Sequence, residues 1–202
     1  SIFELRRGLE MPTTVVELYD VATKAMILRA GERPGERWLD LTPLLTLVFF
    51  EAHVAKQREI TLKHIEAAAR RLPGSRDALK VLKERVEQDR MPLLSLLQIR
   101  PLKVQAAHLS FQEFFAARAI CDGEKLPTPP WQLEVWWANA VRLGVEMGDA
   151  FGKGLLRAEG ASRIKTRQTR LRVKAGGDPS TVAAACGAAL KELSKLSELQ
   201  IS

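Results

Sequence analysis

The side chains able to do chemistry are few in this chain, and most stand alone. Its three histidines, His53, His64 and His108, are scattered, and its two cysteines, Cys121 and Cys186, sit in neither a metal-type nor a redox-type spacing. No Ser/His/Asp or Cys/His grouping, no carboxylate pair and no metal spacing can be assembled from them, which points away from an enzyme within these residues. The cysteines read as reduced small hydrophobes of an intracellular protein. His53 and His64 fall on helical stretches without carboxylate or Cys partners and read as surface or boundary residues without a role. His108 differs, because it opens the run HLSFQEFFAAR, in which Ser110 and Glu113 have the spacing of a capping box. It is either a core residue that happens to precede a helix or a ligand held at the helix start.

What would position it is legible on both sides. SLLQI and KVQAAHL, separated by Arg100 and Pro101, predict a two-strand ribbon that ends at His108. After it, Phe111, Phe114, Phe115, Ala116, Ala117 and Ile120 predict a helix firmly held in a core. A rigid strand end beside an anchored helix is a good mount for a side chain that must point one way. Upstream, Thr14 and Glu17 form another capping box, and Val15, Leu18, Ala22 and Ala25 fall on one face of a helix of about four turns. GERPGERW, residues 31–38, reads as a loop. Thr42 with Pro43 opens a buried helix through LTPLLTLVFFEAHVAKQ. Thr61 caps a third, whose stripe of Leu62, Ile65, Ala68, Ala69 and Leu72 is amphipathic. PGSRDALKVLKERVEQDRM supplies a fourth, with Leu79, Leu82 and Val86 inward. Three helices after the loop, followed by a β-hairpin, are the order of a winged helix.

Composition narrows the class. With 202 residues, 46% of them hydrophobic, the chain can form one large or two small domains, burying roughly 70% of the unfolded surface. Its longest apolar run, PLLTLVFF, is far short of the roughly 18 residues of a membrane span, and no leader pattern opens the chain. This predicts a cytoplasmic protein with no membrane partner. The chain starts and stops inside apparent helix and leucine patterns, as a piece of a longer protein would. A net charge of +7, from 31 basic and 24 acidic residues, admits a polyanionic partner. Most of these charges alternate in sign along helices, as on a solvated face. The exception is SRIKTRQTRLRVK, residues 162–174, which has six cations, no acid and no aromatic residue to stack on bases, and reads as a basic linker.

HLSFQEFFAAR resembles the motif that closes the winged-helix domain of NACHT-type STAND nucleotide switches, the group that includes NOD-like receptors. SIFELRRGLEMPTTVVELYDVATKAMI is similar to the second half of the helical domain that follows their nucleotide-binding domain, so the likeness covers residues 2–120. It implies domains at 1–38 (end of a first helical domain), 39–122 (winged helix), 123–160 (helical domain) and 161–202 (basic linker and the start of a leucine-rich repeat). It also implies a function. ADP holds the closed state through a hydrogen bond from the motif histidine, His108, to the β-phosphate, while Ser110, Phe111, Gln112, Glu113 and Phe114 set its position without touching nucleotide. The partners implied are an upstream nucleotide-binding domain of the same protein and, on activation, further copies of it. The cofactor would be ADP or ATP with Mg in that larger protein. Neither a G-x-x-x-x-G-K-[ST] phosphate loop nor a strand ending in paired acids occurs in these 202 residues.

The remaining chain reads as helical. Trp131, Leu133, Trp136, Trp137, Val141 and Val145 suit a core, and Gly144, Gly148, Gly152 and Gly154, about four apart in a helix-like run, suit close helix packing. Ser180 is expected to cap a small-residue helix, after which Leu193, Leu196, Leu199 and Ile201 resemble the opening of a leucine-rich repeat. The fold expected is therefore mainly α, a helical array around a winged helix with a short β-hairpin. A winged-helix nucleic-acid-binding module is the alternative function. It is disfavoured by Glu84, Glu87 and Asp89 among Lys80, Lys83 and Arg85 on the helix that would enter a groove.

Overall fold

Between Pro43 and Phe50 every side chain but Thr46 is apolar, so a helix formed there has no polar stripe to offer water and must be enclosed. The computed structural model describes residues 11–31, 39–158 and 178–199. It divides the chain into two compact units, residues 1–115 and 116–202. In the first, α1 (Val15–Gly31) precedes α2 (Thr42–Val54), and Leu44, Leu45, Val48, Phe49 and Ala52 of α2 are fully enclosed. There follow β1 (Glu59–Thr61), α3 (Leu62–Arg71), α4 (Arg76–Glu87), β2 (Leu94–Gln98), β3 (Lys103–Ala106) and α5 (Leu109–Cys121). The strands form an antiparallel sheet in the order β1-β3-β2. This is the order of a winged helix, with β2 and β3 as the wing, in a chain that is mainly α-helical.

The sheet has one strand more than the expected ribbon. β1 is three residues long, too short to show a period, and it is fixed by pairing rather than by pattern. Ile60 lies opposite Val104, and both side chains are wholly buried. Ile65 of α3 and Leu82 and Val86 of α4 are buried as well. Leu79 is only half-buried, and Arg85, expected on the outer face, is enclosed in the core side of α4.

Other expectations shift by a few residues. The Thr14–Glu17 capping box forms: the amide of Glu17 donates to Thr14 Oγ1 at 3.1 Å and the amide of Thr14 to Glu17 Oε2 at 3.3 Å. The face it introduces holds at Ala25, which is buried, and Ala22, which is half-buried, but not at its start. Val15 and Leu18 are exposed, whereas Thr23, Ala25, Ile27 and Ala30 are buried, because Tyr19 is drawn onto Phe111 and Phe114 of α5 and sets the rotation of α1. Ahead of α2, Asp40 Oδ1, not Thr42, receives an orphan amide, that of Thr42 at 2.9 Å. His53 is a core residue instead of a surface one, with none of its surface accessible. His64 also has a role, since its Nδ1 accepts the amide of Thr61 at 3.1 Å at the start of α3.

The second unit is helical. Two 3₁₀ turns (Pro130–Gln132 and Val135–Trp137) lead to α6 (Ala138–Glu146), α7 (Asp149–Ala158) and α8 (Pro179–Leu199). Leu133, Trp137 and Val141 are buried as expected, while Val145 is exposed. The glycine-spaced run is two helices rather than one. Gly148, at φ +73, turns the chain between them in a region that suits glycine. Gly144 and Gly154 do serve close approach: a Cβ would lie 2.3 Å from the Phe151 ring at the first and 1.8 Å from the Ile120 carbonyl oxygen at the second. At α8 the cap is Asp178, not Ser180. Its Oδ2 accepts the Thr181 amide at 2.9 Å and the hydroxyls of Thr181 and Ser180 at 2.7 and 2.8 Å. Leu193, Leu196 and Leu199, expected to open a leucine-rich repeat, instead continue α8. Ile201, the basic run 162–174 and most of the loop 31–38 lie outside the described residues.

Candidate functional site

α5 begins where β3 stops pairing. The strand ends at Ala106, so His108 is not a strand residue; it stands directly before the first helical residue, Leu109. The expected Ser110–Glu113 box does not cap this helix, because Ser110 is already inside the first turn. The cap is His108 itself. The amide of Ser110 donates to His108 Nδ1 at 3.2 Å, and Ser110 Oγ lies 2.6 Å from the same nitrogen. A backbone N–H can only donate, so Nδ1 is the acceptor and the ring proton of the neutral imidazole sits on Nε2. Ser110, itself buried, thereby fixes both the direction and the tautomer of the ring.

The His108 side chain is exposed. It lines an open cleft of about 380 Å³ together with Arg58, Gln105, Ala106, Ala107, Leu109 and Gln112. Three features make this cleft attractive to an anion. Arg58, on the link between α2 and β1, is exposed there and enters no ion pair among the described residues. The N-terminus of a 13-residue helix opens beside it, bearing the partial positive charge of its unsatisfied amides. No acidic residue occupies the first turn of α5 to neutralise that charge.

The remaining motif residues act on the mount. Phe114 is buried and stacks on Tyr19 at 5.5 Å between ring centres, and Phe111 meets the same ring edge-on at 5.8 Å. Phe115 stacks on Phe49 of α2 at 5.1 Å. Glu113 is half-buried on α5, away from the cleft lining. Gln112, one turn after His108 on the same face, is fully buried and donates from Nε2 to the Gln57 carbonyl at 3.0 Å, tying the α2–β1 link to α5. Its Oε1 is buried without a hydrogen-bond partner. Arg58 is the residue that pattern reading missed as a site residue, and Gln112, expected only to set the position of His108, lines the cleft as well. Arg58 belongs to no periodic segment, and its approach to His108 depends on the strand pairing of β1 with β3.

The cysteines take no part. Cys121 is half-buried with its Sγ 3.6 Å from Met147 Sδ, and burial, helped by Asp122, pushes its thiol up to about 11, so it is not a thiolate nucleophile near neutral pH. Among the described residues no group of three or more His, Cys, Asp or Glu could hold a metal ion, and no helix is long and apolar enough to cross a membrane. No family model, no curated protein and no solved structure matches the chain.

Proposed function

We propose that this chain is a regulatory segment of a NACHT-type signalling NTPase, in which His108 holds the closed state by donating a hydrogen bond from Nε2 to the β-phosphate of ADP. The observation that supports this best is the locked imidazole: Nδ1 is committed to the Ser110 amide, which leaves Nε2–H as the donor, in a cleft that also contains Arg58. Arg58, the imidazole and the amides of the first turn of α5 suit a phosphate contact. The phosphate loop and any Mg ligands would come from an upstream nucleotide-binding domain of the same protein, and ADP or ATP would supply the charge that the cleft meets.

A contact made in only one of two states biases the equilibrium between them by its own free energy. Exchange of ADP for ATP would remove this contact, release the winged helix and let copies of the protein assemble in the cytoplasm. A hydrogen bond to a charged group contributes about 1.5–3 kcal/mol. In a protein carrying both the nucleotide-binding domain and this chain, His108→Ala is therefore expected to speed ADP release by roughly ten-fold or more and to raise basal assembly. An unchanged ADP off-rate together with unchanged assembly would refute the reading.

The nucleic-acid-binding module remains the second reading, and the charges on α4 weigh against it. Lys80 lies 3.9 Å from Glu84, Lys83 lies 3.3 Å from Glu66 of α3, and Arg85 is buried.

A further inference from the structure

Gln112 sits in the cleft lining with one half of its amide satisfied and the other half not. The orientation of that amide is fixed by its partner: turning it over would set Oε1 against the Gln57 carbonyl, acceptor against acceptor, so Nε2 faces Gln57 and Oε1 remains. A fully buried carbonyl oxygen without a donor is costly, and a fully ionised phosphoryl group, which carries only acceptors, cannot relieve it. Arg58 and His108 Nε2–H, on the same cleft, present the opposite need, since both can only donate. We infer that the cleft takes a sugar-linked phosphate: Arg58 joins His108 on a phosphoryl group, and Gln112 Oε1 accepts from a hydroxyl of the sugar. This rests on the nucleotide reading above and gives it two further contacts. Arg58 sets affinity for the charge, and Gln112 selects a hydroxylated nucleotide over bare phosphate.

The full 202-residue chain can be titrated calorimetrically with inorganic pyrophosphate, ribose 5-phosphate, ADP and 2′,3′-dideoxy-ADP. The expected results are that the intact chain binds ADP about ten-fold more tightly than its dideoxy analogue, that Arg58→Ala weakens every phosphate compound, and that Gln112→Met weakens ADP and ribose 5-phosphate while leaving pyrophosphate unchanged. The comparison of ADP with dideoxy-ADP needs no variant, so it stands even if Gln112→Met melts early. Equal affinity for those two compounds, or no binding of any of the four, would overturn the assignment. The switch reading fails separately, if His108→Ala leaves ADP release unchanged in the larger protein while this chain still discriminates by hydroxyl.

Discussion

His53 of α2 has none of its surface accessible, and burial pushes its imidazole down from the ordinary 6.5 to about 4. The folded state therefore keeps it neutral where the unfolded chain would bind a proton. Its contribution is fully present above pH 6.5 and is lost as pH falls towards 4, a swing on the order of 3 kcal/mol. Thermal melts across that window should show a falling Tm for the native chain and a flatter profile for His53→Gln; parallel profiles would exclude the effect. His108 caps α5, and substitution can separate that role from the proposed phosphate contact. His108→Ala should remove the α5 cap and cost about 1 kcal/mol by urea unfolding, whereas His108→Asn, with a side-chain oxygen in reach of the same amide, should recover most of that stability. Neither retains the imidazole Nε2–H. A phosphate response that followed helix stability instead of the imidazole would show that the residue is only a cap.

At the scale of elements, the close approaches are made by glycine. A Cβ at Gly154 would stand 1.8 Å from the main-chain oxygen of Ile120, and backbone cannot swing aside as a side chain can. Gly154→Ala should destabilise by about 3 kcal/mol or more, at or above the upper end of overpacking costs. Gly144→Ala meets the Phe151 ring at 2.3 Å, where a rotating side chain offers more relief, so a smaller loss is expected. Urea midpoints for the two variants in the reverse order would contradict this account. Helix positions were largely legible because their signals are local: apolar spacing, capping residues and Gly or Pro punctuation. Rotation about each axis was less so. Val15 and Leu18 have the right spacing to be a core stripe, yet Tyr19 decides which face of α1 is buried, through rings on α5 some ninety residues later.

For the whole molecule, the charge excess of +7 raises the question of a polyanionic partner. The outer face of α4, which would meet a groove in a winged-helix DNA binder, carries lysines engaged with glutamates. The chain is therefore expected to form no sequence-dependent duplex complex at physiological salt, and Lys80→Ala with Lys83→Ala should not change whatever weak, salt-sensitive association it has. A duplex affinity that drops with those two substitutions would move the nucleic-acid module ahead of the nucleotide switch. The division between the two compact units falls after Phe115, inside the sequence range of α5. Nothing in the periodicity of HLSFQEFFAAR marks that point, because a helix keeps its spacing whichever core its turns enter.

From sequence alone came the mainly helical class, the order of helices and wing, and the place of His108 at the head of α5. Each is carried by residues within a few positions of one another. The third strand, the burial of His53 and Arg85, and the meeting of Arg58 and Gln112 around the histidine were decided only in the folded chain. Ile60 must find Val104, and Gln112 must reach the carbonyl of Gln57, across more than forty intervening residues in each case. Pairings of that span leave no period in the sequence. They are set by which surfaces remain to be covered once the local elements have formed.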